Sequence, residues 1–143
     1  WHIYVMDADG SNPRQLTSHR LNEKPSWSPD GTQIAFQSYR DGNWEIYVMD
    51  ADGNNLRRLT NHNAWDGSPS WSPDGTQIAF QSKHDSNSNW HIYVMDADGS
   101  NPRQLTRYGH YESPSWSPDG TQIAFQSNRD GNWEIYVLDL QWE

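Results

Sequence analysis

Two apolar patterns alternate along the chain. The first is a run of four apolar residues, Ile-Tyr-Val-Met at 3–6, 46–49 and 92–95 and Ile-Tyr-Val-Leu at 135–138, each followed by Asp. Four consecutive apolar residues fit a short strand covered on both faces. The second is Thr-Gln-Ile-Ala-Phe-Gln-Ser at 32–38, 76–82 and 121–127, a strand-like mixture of β-branched, small and aromatic residues. Pro-Ser-Trp-Ser-Pro-Asp-Gly precedes it each time, so fourteen residues recur unchanged at 25–38, 69–82 and 114–127. Within them, Ser28-Pro29-Asp30-Gly31 puts Pro where a type I turn fixes φ at about −65°, then Asp, then Gly at the exit. A short extended piece, a tight turn and a strand make a β-hairpin. After the first three Ile-Tyr-Val-Met-Asp runs comes Ala-Asp-Gly, then a piece ending in Leu-Thr at 16–17, 59–60 and 105–106, which predicts a second hairpin.

One repeat unit therefore holds four short strands, a, b, c and d in chain order. The Trp of Trp-Ser-Pro recurs at 27, 71 and 116, in steps of 44 and 45 residues. Four strands in a period of forty-odd residues describe a β-propeller blade, with a non-propeller β-solenoid as the alternative on period alone. A sheet apolar on both faces cannot bury itself, whereas copies fanned around an axis bury one another and limit exposed edges. The predicted fold is all-β: a β-propeller of four-stranded antiparallel blades, in one domain spanning 1–143. Strands c and d occupy 1–17, full blades occupy about 25–60 and 69–106, and strands a, b and c occupy 114–139.

The wording of the unit is similar to a known family. Leu-Thr, then the fourteen-residue stretch, then Arg-Asp-Gly-Asn-Trp-Glu-Ile-Tyr-Val-Met-Asp-Ala-Asp-Gly (40–53) resembles the TolB-type, WD-like propeller repeat over practically the whole length. The family's N-terminal domain has no counterpart in these residues. The resemblance implies a periplasmic or extracellular location and a ring usually of six blades. About three blades per chain are too few for a ring of roughly four to eight. The expectation is self-association, a homodimer closing six blades by strand exchange, with a piece of a longer propeller as the alternative. Strand c is supplied twice, at 1–7 and 133–139, and only one copy can fill a given slot. Residues 1–17 and 90–106 are identical, which fits recent amplification or consensus design.

Composition narrows the chemistry. Nine Trp and seven Tyr carry much of the apolar area in a chain only 33% hydrophobic. Cysteine is absent, which removes disulfides and thiolate catalysis. A net charge of −9 disfavours nucleic acid and anionic membrane as partners. No apolar run approaches the ~20 residues of a spanning helix.

Variation between units falls on two loop classes, d–a (18–24, 61–68, 107–113) and b–c (39–43, 83–89, 128–132), which emerge on one face of an up-and-down blade. Binding in repeat folds concentrates on such a loop face. The rim candidates are Arg20, Glu23, His62, Trp65, Asp66, Lys83, His84, Tyr108, His110, Tyr111 and Glu112, aromatic and charged anchors like those of a protein or carbohydrate site, with a protein or peptide partner the leading expectation. Loop aromatics also cap blade ends, so Trp65 and Tyr111 carry that plainer reading as well. The turns Asp7-Ala8-Asp9-Gly10 and Asp50-Ala51-Asp52-Gly53 resemble part of a calcium loop but lack its distal Glu, and read as hairpin turns. The six histidines have no zinc spacing, and no Gly-x-Ser-x-Gly elbow occurs. No cofactor is expected. Glu23, Asp66 and Glu112 would support a carboxylate-based glycoside hydrolase only if all three faced the channel. The leading expectation is a non-catalytic binding or assembly module, and the next a purely structural self-assembling repeat protein.

Overall fold

The computed structural model describes residues 1–19, 21–84 and 88–140, which form thirteen strands and no helix. β1 (Tyr4–Val5) and β2 (Arg14–Gln15) pair as an isolated hairpin. β3 (Asn22–Trp27), β4 (Gln33–Ser38), β5 (Glu45–Asp50) and β6 (Arg57–Arg58) form the first complete sheet. β7 (Asp66–Trp71), β8 (Gln77–Ser82), β9 (His91–Asp96) and β10 (Arg103–Gln104) form the second. β11 (Tyr111–Trp116), β12 (Gln122–Ser127) and β13 (Glu134–Asp139) make a three-stranded third. Every pairing is antiparallel between chain neighbours, so the predicted order a, b, c, d is the observed one. The first strands of successive sheets, β3, β7 and β11, touch one another, while β6 and β10 touch only their own sheets. The sheets thus fan out from a common axis, as the blades of an all-β propeller.

The apolar run of strand c explains the stacking. Alternate residues of a strand point to opposite faces. In β5, Tyr47 and Met49 point back to a cluster with Ile3, Ile34 and Phe36, whereas Ile46 and Val48 point forward to Trp71, Ile78, Phe80 and Met95 of the next blade. β9 repeats this, with Ile92 and Val94 packed forward on Tyr111, Ile123 and Phe125. Each blade therefore carries a forward face of Ala, Ile and Val and a backward face of Ile, Phe, Tyr and Met.

The identical stretches are held by identical hydrogen bonds. In the a–b turn, Asp30 Oδ1 accepts from Ser28 Oγ (2.7 Å), Thr32 N (3.0 Å) and Thr32 Oγ1 (2.8 Å), and Ser28 Oγ accepts from Gln33 N at 2.9 Å. Asp74 and Asp119 repeat the arrangement. These bonds hold all three carboxyls below the usual range. The repeated Ser and Asp of Ser-Pro-Asp-Gly are thus occupied in closing a turn. The Thr of each Leu-Thr closes the c–d pair: Thr17, Thr60 and Thr106 Oγ1 accept from Ile3, Ile46 and Ile92 N at 2.9, 2.9 and 3.0 Å.

Strand a is longer than the sequence suggests. It begins at Asn22, Asp66 and Tyr111, each three residues ahead of the proline of Pro-Ser-Trp. The register slips between Glu23 and Ser26, Gly67 and Ser70, and Glu112 and Ser115. That bulge accommodates a proline without an N–H, and the residue before it takes positive φ: Lys24 56°, Ser68 50° and Ser113 55°. The N–H freed at the bulge crosses to the preceding blade, where Gln37 Oε1 accepts from Ser68 N (2.9 Å) and Gln81 Oε1 from Ser113 N (2.8 Å).

Phe80 is fully buried between the first two blades, so Phe80→Ala is expected to cost about 3–5 kcal/mol in urea denaturation. An unchanged midpoint would contradict the packing described.

Candidate functional site

The variable loops meet on one rim. Asn43 Nδ2 of a b–c loop donates to His62 O (3.0 Å) and Ala64 O (2.6 Å) of the following d–a loop, and Lys83 N donates to Trp65 O at 3.0 Å. The rim end of the second blade is built around a lysine. Lys83 Nζ lies 5.3 Å from the Trp65 ring centroid and 5.7 Å from that of Trp90, a cation held between two indoles. Trp65, Lys83, Asn63 and Ser88 line an open groove of about 310 Å³. The His62 and His84 rings meet at a tilt, 4.9 Å between centroids, and His84 meets Tyr93 in the same way at 5.2 Å. Burial first, then the neighbouring His62, lowers the pKa of His84 and favours its neutral form. The first blade has Tyr39 edge-on to Trp44 at 5.5 Å, and the third has His110 edge-on to Trp133 at 5.6 Å.

Of the residues expected at the rim, His62, Trp65, His84 and Tyr108 are exposed and Lys83 is half-buried. Arg20 lies outside the described residues. Four others sit on strand a and not in a loop. Glu23 and Glu112 accept from Gln37 Nε2 (3.2 Å) and Gln126 Nε2 (3.0 Å), and Glu112 also meets His110 Nε2 at 2.6 Å. Asp66 and Tyr111, expected at the surface, are buried. The cause is the longer strand a, which carries its first residue under the rim and against the preceding blade. Tyr111 packs on Phe125 and His91 and donates to Arg107 O at 3.0 Å. With Asp66 enclosed, Glu23, Asp66 and Glu112 do not form one channel-facing carboxylate set.

Asp66 lies in a buried polar pocket between blades. Glu45, also fully buried, is satisfied by Arg58 Nη2 (2.7 Å), Thr60 Oγ1 (2.5 Å) and Asn43 Nδ2 (3.0 Å). Neither carboxyl oxygen of Asp66 meets a partner at hydrogen-bond geometry. Burial pushes the Asp66 carboxyl up to about 7; the Glu45 charge adds to this and the nearby Ser82 hydroxyl opposes it. The matching position in the first blade holds Asn22, whose Nδ2 donates to His19 O at 2.5 Å. The sequence signals for Trp90 and Glu45 were the Trp-His and Trp-Glu pairs that open each strand c; reading them as strand alone concealed their part at the rim and in the polar pocket.

Comparison with known proteins accords with the geometry. The family profile described as "TolB beta propeller domain" matches residues 1–65, 18–112 and 61–142. A 38-residue stretch is 50% identical to the Tol-Pal system protein TolB of Myxococcus xanthus, covering 27% of this chain and 9% of that protein. A 43-residue stretch is 44% identical to the Tol-Pal system protein TolB of Bordetella pertussis, covering 29% and 10%. The crystal structure of TolB from Acinetobacter baumannii superposes with a TM-score of 0.85 at 32% identity, over 95% of this chain and 34% of that one. The matched stretches thus span about a tenth of the length of these curated relatives.

A carboxyl with a folded pKa above its unfolded value of 3.8 favours the native state in its protonated form. Its contribution is complete below about pH 4 and lost as pH rises through about 7. Asp66→Asn is therefore expected to melt higher than the parent at pH 8, with the difference shrinking towards pH 4. Calorimetry across that range checks it; a gap that is constant with pH would contradict the assignment.

Proposed function

The chain belongs to the TolB β-propeller family, and on that premise we propose that it is a non-catalytic propeller scaffold whose loop rim holds a protein or peptide partner. The observation that carries this reading is the Trp65–Lys83–Trp90 arrangement beside an open groove. Rigid aromatic faces with a cation between them supply large contact area at little entropic cost, the character of binding hot spots. The relatives are named as Tol-Pal system proteins, which fits a scaffold that works among other proteins. The fold alone decides neither binding nor catalysis. Against catalysis stand the enclosure of Asp66 and the engagement of Glu23 and Glu112 with their own sheets.

A second reading is self-association into a closed ring, for which the exposed Tyr4, Ile135 and Val137 of the first and last strands, with Met6 just beyond β1, are the candidate contacts.

Peptides selected on the parent protein from a random library are expected to lose about 10- to 30-fold in affinity for Trp65→Ala and Lys83→Ala. They should keep full affinity for Asp98→Asn on the opposite face, with circular dichroism unchanged throughout. Selected peptides that bind Trp65→Ala as tightly as the parent would overturn the rim assignment.

A further inference from the structure

We propose that the groove at Trp65 and Lys83 takes an acidic peptide, with the side-chain carboxylate of one Asp or Glu on the Lys83 ammonium and a neighbouring apolar residue against the Trp65 ring. The inference deepens the rim reading above and rests on it.

The blades can be compared at the same three rim positions: the residue before strand a, the residue after strand b and the Trp before strand c. These are Leu21, Tyr39 and Trp44 in the first blade, Trp65, Lys83 and Trp90 in the second, and His110, Asn128 and Trp133 in the third. The first two sites share a backbone arrangement. Tyr39 N donates to Leu21 O at 3.1 Å, as Lys83 N does to Trp65 O at 3.0 Å. Tyr39 meets the Trp44 ring at 5.5 Å, where Lys83 Nζ lies 5.7 Å from that of Trp90. An open groove recurs too, of about 520 Å³ beside Leu21 and Tyr39 and about 310 Å³ beside Trp65 and Lys83. The rim therefore folds with a tyrosine or an asparagine where the second blade has a lysine, and the repeat itself does not require the charge.

Nearby arginines are matched within the chain. Arg58 pairs with Glu45 (2.7 Å) and Asp41 (3.7 Å), and Arg129 with Asp130 (3.7 Å). Arg40 lies 5.0 Å over the Tyr47 ring and Arg129 lies 5.5 Å over that of Tyr136, whereas His84 meets the corresponding ring of Tyr93. Lys83 differs. Its ammonium is set against two indole rings, and among the described residues no carboxylate pairs with it. The rings attract the cation and fix its position, but they supply no oxygen acceptor to its three N–H donors. A half-buried ammonium held in this way is pre-organised for an acceptor from outside, and a carboxylate matches it in charge.

Charge and shape narrow the ligand further. At −9 the chain repels polyanions at long range, and among the described residues lining the groove Lys83 is the one cation. A single carboxylate set among neutral residues suits that balance, whereas a polyuronate or a nucleic acid does not. Trp65 is 46% exposed, which leaves ring area for an apolar neighbour of the carboxylate. Capture of a C-terminal carboxylate uses a nest of free backbone N–H groups. Here Lys83 N is already bonded to Trp65 O, so the carboxylate belongs to a side chain.

Titration calorimetry with the full chain and peptides selected on it from a random library tests this. The tightest peptide is expected to carry an Asp or Glu whose replacement by Asn or Gln weakens binding to the parent about tenfold. That loss should vanish on Lys83→Asn, which carries the residue of the third blade at this position, and persist on Lys83→Arg, which keeps a cation. Raising sodium chloride from about 50 to about 500 mM should weaken binding to the parent. The peptide replacements and the salt series need only the parent, so they decide even if Lys83→Asn fails to fold. Peptides that need Trp65 but tolerate loss of every carboxylate, lose as much on Lys83→Asn, or bind regardless of salt overturn the carboxylate assignment and leave the rim reading standing. Trigalacturonate binding more tightly than every selected peptide overturns the peptide in favour of an acidic glycan. No selected peptide, or peptides indifferent to Trp65→Ala, overturns the rim reading and this inference with it.

Discussion

The structure depends on one contact made over and over: the Ala-Ile-Val face of one blade laid on the Ile-Phe-Tyr-Met face of the next. Sheets joined face to face bury both sides of a central strand, which is why strand c reads as an unbroken apolar run and not as an alternation. Hydrophobic content can stay low because a few residues per blade serve two interfaces. Ile46 and Tyr47 are neighbours in sequence, yet they belong to cores on opposite sides of one sheet. A blade alone would leave both faces wet, so the blade is the unit of sequence and the stack is the unit of stability.

Around that contact the polar residues of the repeat keep backbone groups satisfied where the sheets end. Asp30 and its copies close the a–b turn, Thr60 and its copies cap strand c, and Gln37 and Gln81 reach across to the bulge of the next blade. These are the positions at which repetition is strictest, and each makes a bond that a different side chain would not supply. Strict repetition of Ser and Asp in Ser-Pro-Asp-Gly is therefore a record of turn geometry. Residues whose identity changes from blade to blade are freed from that duty.

The architecture was legible because period, turn chemistry and apolar pattern all point to the same sheet. What the sequence concealed was depth. Asp66 and Tyr111 sit in stretches rich in turn-forming residues, and nothing local says that a bulge at the following proline extends strand a back to include them. A bulge is a property of pairing between strands, so it is visible only once the partner strand is placed. Trp90 was hidden in the opposite way: it opens an apolar run and reads as strand, whereas its ring faces Lys83 at the rim. Trp65 and Lys83 were recognisable as rim residues because they interrupt an otherwise constant text.

The variable positions also show where the blade interface tolerates change. The first residue of strand a packs under the rim of the preceding blade, and it is Asn22, Asp66 or Tyr111 in turn, its N–H donating to the carbonyl of Trp1, Trp44 or Trp90. The apolar core below is the same in every copy, so these pairs give each joint its own chemistry. At Glu45 and Asp66 two buried carboxyls lie close together, Glu45 is paired with Arg58, and burial pushes the Asp66 carboxyl up to about 7. At His91 and Tyr111 an aromatic contact replaces the charge. A repeat that must stack on itself keeps its centre constant. It can differ only at the margin, and there the margin lies directly beneath the loops that form the rim.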